Sequence, residues 1–410
     1  MRIIDPAQIA AHLPRPRAAA PRVVAAGNHA TPWRLLEAVD KAVPDYRLFM
    51  LGAQRGIPVR EGVRHETPFV GPGMRGLSTL DYLPTRLSLV PRMLAGTHRP
   101  DLVLLHVAPP RNGRLSLGIE ANVLPAAIEA CRAHGGLVLA QINPLMPYTY
   151  GDAQIRLDSV DLAIEAEEPL AAAEPAAGAR PEVTDRIGER VAELVADGST
   201  LQVGIGAVPD AVLAALTERR DLRVWSEMVS DGILDLEKAG ALDTTHTLTT
   251  SFLFGSPELY AWVDGNPRIR LLRTETVNDP SWIAAQQAMT SINTALQVDL
   301  YAQANASYAH GLIHSGFGGQ CDFVVGALHS PGGRAIIALP SWHRKSGSST
   351  IVGRLPSPVT SFQHSAIVTE HGCAELVGHA QREQARNLIA HAAHPDARER
   401  LREQAAMLGL

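Results

Sequence analysis

Short apolar runs of strand character alternate with helix-type patterns through most of the chain. The strand-like runs include RVVAAG (22–27), DLVLLHVAPP (101–110) and LVLAQIN (137–143), and the helical patterns include TPWRLLEAVDKAV (31–43) and NVLPAAIEACRAHGG (122–136). Apolar strands separated by helices are typical of α/β proteins, because the connecting helices cover the faces of the sheet. The sequence therefore predicts an α/β fold with parallel or mixed sheets flanked by helices.

A composition shift divides the chain. At 410 residues the chain is longer than the roughly 250–300 residues that one core usually serves. The stretch EAEEPLAAAEPAAGARPEVTD (165–185) is rich in Ala, Pro and Glu and has no apolar period, which is typical of a linker. We expect two domains, at residues 1–185 and 186–410.

The plan of the first half recurs after the linker. VVAAGNHATPWRLLEAV (23–39) and LQVGIGAVPDAVLAAL (201–216) both pass from an apolar strand through a glycine turn and a proline into a helix. Two halves built on one template would produce this recurrence. Two unrelated strand–helix units would produce it as well, and the residues leave both readings open.

Charge and hydropathy argue against several classes of partner. The net charge is −5 and no cluster of the 37 Lys and Arg residues stands out, so neither nucleic acid nor an anionic membrane is expected as a partner. The N-terminus MRIIDPAQIAAHLPRPR lacks the apolar core of a signal peptide, and no stretch approaches the ~20 apolar residues that span a bilayer. We expect a soluble, cytoplasmic protein.

Cysteine and histidine spacing does not predict a metal site. The three cysteines, at 131, 321 and 373, are far apart and odd in number, which fits neither a disulfide framework nor a zinc ribbon. His391 and His394 share a helical spacing, but Pro395 ends that helix and no further ligand follows. We predict no metal and interpret the histidine pair as structural.

The segment RVWSEMVSDGIL (223–234) holds one carboxylate, Glu227, between a strand and a turn. No histidine, cysteine or second carboxylate stands at a recognisable catalytic spacing from it. VTEHGCAEL (368–376) has the same layout around Glu370. A glutamate that follows a strand is most often a solvated surface residue, so neither motif identifies a catalytic group by itself.

Two glycine turns could bind anionic groups. VGIGAVPDAV (203–212) leads into a helix whose N-terminal N–H groups favour phosphate or carboxylate, although a purely structural turn has the same pattern. Pro209 stands where a dinucleotide fingerprint has its third glycine, which argues against a nicotinamide-dependent oxidoreductase. The turn in HSGFGGQCDF (314–323) could present N–H groups to an oxyanion, but a flexible β-turn explains it equally well.

Taken in order, these motifs resemble the acetyl-CoA hydrolase/transferase family, the class I CoA-transferases that include 4-hydroxybutyrate, butyrate and acetate CoA-transferases. The resemblance covers nearly the whole chain. Its motifs are FVGPGMRGL (69–77), NGRLSLG (112–118), NPLMPYTYGD (143–152), GIGAVPDAVL (204–213), SEMVSDGILDLEKAGALD (226–243), SINTALQVDL (291–300), SGFGGQCDFVVGA (315–327), VTEHGCAEL (368–376) and HPDARERL (394–401).

The resemblance implies a fold and a set of site residues. It implies two related α/β domains of the class I CoA-transferase, NagB-like type, with the active site at their interface. Glu227 matches the catalytic glutamate. The residues that the resemblance assigns to coenzyme A or to the thioester oxygen are Gly204, Ile205, Gly206, Ala207, Val208, Gly318, Gly319 and Gln320, and those that line the site are Asn278, Lys345 and Glu370.

The resemblance also implies the reaction. A free glutamate has a pKa of about 4.3 and would be a carboxylate at neutral pH. Its oxygen would attack a short-chain acyl-CoA, and a glutamyl-CoA thioester would then pass coenzyme A to a second carboxylic acid in a ping-pong reaction. Acyl-CoA is a substrate here, and no tightly bound cofactor is required. The alternatives are an acyl-CoA hydrolase that uses the same glutamate and a catalytically silent acyl-CoA-binding protein.

The chain departs from the family at one position. Members usually carry Leu-Arg-Gly after the second glutamate turn, and this chain has Leu376, Val377 and Gly378. The missing arginine puts a contact to a carboxylate in doubt without touching the nucleophile. The resemblance further leads us to expect a homo-oligomer.

Overall fold

The computed structural model describes residues 1–13, 20–172, 181–356, 359 and 364–410. The chain forms two compact units, each assembled from separate stretches. The first unit comprises Met1–Ala173, Thr247–Val277 and Ile313–Gly318, and the second comprises Glu174–His246, Asn278–Leu312 and Gly319–Leu410. The predicted division between residues 185 and 186 falls within the helix Pro181–Glu193 and stays a prediction.

The first unit contains a ten-stranded sheet. Its main path, in spatial order, runs through Arg2–Ile3, Leu162–Glu165, Leu137–Ile142, Leu102–Arg111, Arg22–Ala25, Tyr46–Phe49, Val63–Thr67 and Leu80–Tyr82. Neighbours on this path are parallel. Arg114–Ser116 and Gln154–Arg156 extend the sheet as antiparallel strands. The strands predicted at 22–27, 101–110 and 137–143 are thereby confirmed.

Helices and a smaller parallel sheet complete the first unit. The α-helices are Ile9–His12, Trp33–Ala42, Val90–Ala95, Leu124–Ala133, Pro257–Val263 and Thr274–Val277. The smaller sheet pairs Leu248–Thr250 with Ile269–Leu271, which also pairs with Tyr150–Gly151. The helices predicted at 31–43 and 122–136 are confirmed. Apolar side chains such as Val23, Leu35, Leu48 and Leu104 form a core between the main sheet and its helices.

The second unit contains a six-stranded sheet. Its strands, in spatial order, are Arg223–Val224, Thr200–Val203, Met289–Asn293, Arg334–Ala338, Ala366–Thr369 and Gly372–Glu375. The first five are mutually parallel and the last is antiparallel to its neighbour. The α-helices are Pro181–Glu193, Ala207–Ala215, Asp231–Lys238, Pro280–Ala284, Gln320–His329, Gln381–Asn387 and Arg398–Leu408. The other short strands in the described ranges are Met228–Val229, Phe252–Leu253, Gln297–Asp299, Ala304–Asn305, Tyr308–Ala309, Leu312–Ile313, Trp342–His343, Ser348–Ser349 and Ile351–Val352.

The strand order of the second unit reverses at Thr200–Val203. The next strand along the chain, Arg223–Val224, lies on one side of it, and Met289–Asn293 lies on the other. The carboxyl ends of strands at such a switch point leave a crevice in which α/β proteins commonly bind ligands. The main sheet of the first unit reverses in the same way at Arg22–Ala25. The recurrence between 23–39 and 201–216 therefore falls on the equivalent strand of each sheet.

The helices of both units are short compared with a lipid bilayer. Within the ranges that the structure describes, no helix is long and apolar enough to cross a membrane.

Candidate functional site

Glu227 lies just beyond the strand Arg223–Val224, beside the switch point of the second unit. The backbone N–H of Trp225 donates to the carbonyl oxygen of Leu201 at 3.1 Å, and Oγ of Ser226 donates to the carbonyl oxygen of Val203 at 3.4 Å. Ser226 is buried, whereas Trp225 and Glu227 are partly accessible on the opposite side. This alternation follows from extended backbone and directs the carboxyl group away from the sheet core.

Asn278 holds the carboxyl group of Glu227. Its Nδ2 donates a hydrogen bond to Oε2 of Glu227 at 2.6 Å, and Asn278 is 0% exposed. The amide is placed by the turn before the helix Pro280–Ala284, where the side chain of Asp279 accepts from the backbone N–H of Ser281. A capped helix start thus fixes the donor that orients the carboxylate.

Gly319 forms one wall of the carboxylate pocket. A methyl group at Gly319 would lie 1.7 Å from Oε2 of Glu227 and 2.4 Å from Nδ2 of Asn278. No side chain fits in that space, so the glycine lets the backbone at the start of the helix Gln320–His329 approach the carboxyl group directly. The N-terminal end of this helix favours negative charge near it.

The surroundings of Glu227 change its acidity. Its surface is partly accessible, yet protein surrounds the carboxyl group closely enough that burial raises the pKa of Glu227 to about 7, the hydrogen bond from Asn278 opposes the rise, and the nearby charge of Asp322 adds to it. Asp322 is 0% exposed in the first turn of the helix Gln320–His329. The sequence-based expectation of an ordinary glutamate, with a pKa of about 4.3, is therefore wrong, because burial and the charge of Asp322 both disfavour the ionised carboxylate.

The raised pKa predicts a pH-dependent cost to stability. Unfolding lowers the pKa of Glu227 from about 7 to its ordinary value of 4.5. Between these pH values the carboxyl group is ionised in the unfolded state but protonated in the folded state. The penalty grows as pH rises between these values and is constant above them. We expect Glu227→Gln, which cannot ionise, to be more stable than wild type by about 3 kcal/mol near pH 8. Urea unfolding at several pH values would measure the difference, which should vanish below about pH 4.5; a difference independent of pH would contradict the raised pKa.

Asn278 and Gln320, the residue that follows Gly319, each carry one buried polar side-chain atom that lacks a partner within the described ranges. Among the described residues, no hydrogen-bond partner accompanies Oδ1 of Asn278 or Nε2 of Gln320. A buried polar group without a partner costs about 1–3 kcal/mol. Both atoms could be satisfied by the polar groups of a bound substrate, which is where such unpaired groups are expected.

The glycine turn at 204–208 adjoins the same end of the sheet. It connects Thr200–Val203 to the helix Ala207–Ala215, and Gly206 has a φ of 114° as the residue before that helix. Ile205 is 44% exposed. The backbone N–H groups of this turn and the helix N-terminus are suited to an anionic group such as a phosphate.

Three further residues singled out from the sequence are Glu370, Lys345 and Gly318, the last of which directly precedes Gly319. The carboxylate of Glu370 accepts one hydrogen bond from the backbone N–H of Ser341 at 2.8 Å and another from the hydroxyl of Ser341. It therefore stabilises a local turn. Lys345 is exposed in the turn between Trp342–His343 and Ser348–Ser349. Gly318 is buried with a φ of 55°. The structure therefore brings together Glu227, Asn278 and Gly319, and the roles of Gln320, Glu370, Lys345 and Gly318 stay predictions.

Three residues near Glu227 were not identified from the sequence. Asp322 influences its pKa, and the indole rings of Trp225 and Trp282 stack with their centroids 6.4 Å apart. The period of the helix Gln320–His329 puts Asp322 one turn after Gly319, and this spacing is the sequence feature that could have identified Asp322. Stacking of two tryptophans 57 positions apart has no local signal in the sequence.

Of the two histidines considered as metal ligands, His394 makes an aromatic contact. The ring of His394 packs against Trp342, with centroids 4.7 Å apart. In the part of the chain that the structure describes, no group of three or more His, Cys, Asp or Glu residues is arranged to hold a metal ion.

Comparison with known proteins identifies relatives along the whole chain. Residues 255–405 match the acetyl-CoA hydrolase/transferase C-terminal domain. A 4-hydroxybutyrate coenzyme A transferase of Clostridium kluyveri is 37% identical, over 93% of this chain and 92% of that protein. The structure also resembles two solved structures, RipA from Yersinia pestis and a 4-hydroxybutyrate CoA-transferase from Porphyromonas gingivalis.

Both structural matches extend over nearly the complete chains. The superposition on RipA has a TM-score of 0.89 at 28% identity, and it covers 100% of this chain and 98% of the RipA chain. The P. gingivalis enzyme superposes with a TM-score of 0.82 at 30% identity and covers 99% and 98%. The class I CoA-transferase fold implied by the sequence motifs is confirmed. The chain belongs to the acetyl-CoA hydrolase/transferase family.

Proposed function

We propose that this protein is a CoA-transferase that moves coenzyme A between a short-chain acyl-CoA and a carboxylic acid. The reaction is ping-pong and passes through a glutamyl-CoA thioester on Glu227. The observation that carries the proposal is the carboxyl group of Glu227, which is hydrogen-bonded by Asn278 at 2.6 Å and in direct contact with the backbone at Gly319. Family membership supports the same activity.

The first half of the reaction loads the enzyme. An Oε atom of ionised Glu227 attacks the thioester carbon of the acyl-CoA, and the carbon–sulfur bond breaks to give a mixed anhydride and CoA thiolate. The thiolate then attacks Cδ of Glu227. The bond between Cδ and the bridging oxygen breaks, so the donor acid leaves as a carboxylate and coenzyme A remains as a thioester on the enzyme.

The second half reverses these steps with another acid. Its carboxylate attacks Cδ of the glutamyl-CoA thioester, which gives a new anhydride and releases CoA thiolate. The thiolate attacks the acyl carbon of that anhydride, so the new acyl-CoA leaves and the Glu227 carboxylate is restored. No net proton transfer occurs, which explains why the sequence around Glu227 needs no general base.

Backbone groups support the charges that develop. Each attack creates a tetrahedral oxyanion, and the backbone at Gly319, where the helix Gln320–His329 begins, lies against the reacting carboxyl group, so we propose that N–H groups of this helix start receive the oxyanion. Loss of one pre-aimed oxyanion donor typically costs on the order of 2.7–4 kcal/mol of barrier. The turn at 204–208 is proposed to bind an anionic part of coenzyme A, which aligns the thioester through contacts remote from the reacting atoms.

The reaction is expected to depend on pH through Glu227. Only the carboxylate is nucleophilic, so kcat/KM for acyl-CoA should rise about tenfold per pH unit and level off above about pH 7. The hydrogen bond from Asn278 favours the charged form, so Asn278→Ala should move the inflection to higher pH. A pH series of initial rates measures both. Asn387→Ala, which removes an amide bonded to the carbonyl of Glu375, serves as the control and should leave the inflection in place; an unmoved inflection in Asn278→Ala would count against the assignment.

Hydrolysis is the second candidate, because water could replace the acceptor acid at the same thioester. The partly accessible surface of Glu227 and the presence of hydrolases in the family both favour considering it. Supplying acyl-CoA with and without acetate separates the two. A transferase forms acetyl-CoA and releases little free coenzyme A, whereas release at the same rate without acetate identifies a hydrolase. No turnover and no modification of Glu227 would instead identify a silent acyl-CoA-binding protein.

Several acids are expected to act as acceptors. One methylene of fit in a pocket is worth only ~1–3 kcal/mol, so related short-chain acids are expected to compete. Val377, the position at which the resemblance leads us to expect arginine, is 60% exposed and so accessible. Homo-oligomerisation and a cytoplasmic location stay predictions.

A further inference from the structure

Two side-chain contacts join the same pair of segments next to Glu227. Asn278 bonds the carboxyl group of Glu227 at 2.6 Å, and four residues along the chain Trp282 stacks on Trp225, which precedes Glu227 by two positions. The ring centroids are 6.4 Å apart and the ring planes differ by 16°. The tryptophan pair is therefore built on the same two segments that hold the proposed nucleophile.

The outer ring of the pair faces solvent. Trp282 is 55% exposed, although indole is among the largest apolar surfaces a side chain can bury. Its helix, Pro280–Ala284, is anchored on the other side, where the fully buried Ile283 packs against Gly326. The inner ring, Trp225, is tied to the sheet by its backbone bond to Leu201. The exposed ring is consequently held at a fixed position and is available to a ligand.

We propose that Trp282, supported by Trp225, is a stacking platform for the amide groups of the pantetheine arm of coenzyme A. This inference rests on the proposed function, because it takes the thioester of the substrate to lie at Glu227. Flat polar groups such as amides stack well on indole rings, and tryptophan provides such area with few rotatable bonds.

Spacing selects the pantetheine arm over the adenine ring. Two residues of extended chain separate the Cα atoms of Trp225 and Glu227 by roughly 7 Å, and the ring of Trp282 stacks on the ring of Trp225. At roughly 1.2 Å of extension per covalent bond, the two amides of pantetheine lie within about 4–9 Å of the thioester sulfur, and adenine lies much farther along the chain. The platform is at the distance of the amides.

Fluorescence titration tests the platform, because tryptophan is itself the reporter. The five tryptophans are Trp33, Trp225, Trp262, Trp282 and Trp342. Pantetheine should change the emission of wild type and of Trp33→Phe, in which a core-packed ring is altered, but not that of Trp282→Leu. The Kd for coenzyme A should rise about three- to tenfold in Trp282→Leu and be largely restored in Trp282→Phe, which keeps a flat ring.

Other outcomes would overturn the proposal. A response to adenosine 3′,5′-bisphosphate with none to pantetheine would place the base, not the amides, on Trp282. An unchanged Kd for coenzyme A in Trp282→Leu would show that Trp282 does not stack on the ligand. If the oligomeric state of that variant also changed, Trp282 would be a subunit contact. Mass spectrometry of the peptide that contains Glu227, after mixing with acyl-CoA, distinguishes failure of the stacking platform from failure of the proposed function. A modified Glu227 with an unchanged Kd overturns only the platform, whereas an unmodified Glu227 overturns the proposed function.

Discussion

Replacing Glu227 with alanine is expected to lower CoA transfer by at least about a thousandfold while the protein remains folded. The substitution removes the atom that forms the covalent bond, and the remaining N–H groups can stabilise an oxyanion only if something attacks. Burial makes the ionised carboxyl group of Glu227 unfavourable in the folded state. Its removal should therefore not lower the free energy of unfolding. Steady-state transfer from acyl-CoA to acetate measures the rate, and thermal unfolding checks the structure.

Glu370 offers a comparison with the same side chain. Its carboxylate is bound by the N–H and hydroxyl of Ser341, so Glu370→Gln should loosen a local turn and reduce activity by about tenfold or less. Equal losses at Glu227 and Glu370 would mean that the roles have been confused. Wild-type turnover in Glu227→Ala would show that the nucleophile has been wrongly assigned.

Replacing Gly319 with alanine is the second large effect that we expect. The added methyl group would lie 1.7 Å from Oε2 of Glu227, a distance that no relaxed structure tolerates. Either the carboxyl group leaves its hydrogen bond with Asn278 or the start of the helix Gln320–His329 moves, and both outcomes misplace the reacting atoms. Turnover should fall at least about a hundredfold, because small displacements of a nucleophile have effects of this size.

Gly204→Ala is the matched substitution at the other glycine turn. The nearest heavy atom to a methyl group there is Cγ of Pro209 at 4.0 Å, an ordinary contact distance. We expect a change in KM for acyl-CoA if the turn binds coenzyme A, with Glu227 undisturbed. Initial rates over a range of acyl-CoA concentrations compare the two variants. Wild-type turnover in Gly319→Ala would contradict the close approach at Glu227.

The fold was largely predictable because its signals are local. Runs such as 101–110 and 137–143 are mostly apolar, as strands buried on both faces are, and the glycine turn at 204–206 separates strand from helix. The division into units was less accessible. Two later segments, Thr247–Val277 and Ile313–Gly318, group with the first unit, and such returns of the chain leave no trace in composition.

The identities of the site residues were more predictable from the sequence than the acidity of Glu227. The motifs identified Glu227, Asn278 and Gly319, which the structure places in mutual contact. The raised pKa of Glu227 was not predictable, because it arises from burial and from Asp322, which is 95 positions away in sequence. Glu370 shares the strand-and-turn layout of Glu227 but is bound to Ser341, so similar local sequences led to different environments.

The central claim is tested most directly by the mass of the peptide that contains Glu227 after the protein is mixed with acyl-CoA. The account predicts a coenzyme A adduct in thioester linkage to Glu227, which borohydride reduces to an alcohol and which is absent from Glu227→Gln. Transfer that proceeds with Glu227 unmodified throughout, or an adduct on a different side chain, would contradict it.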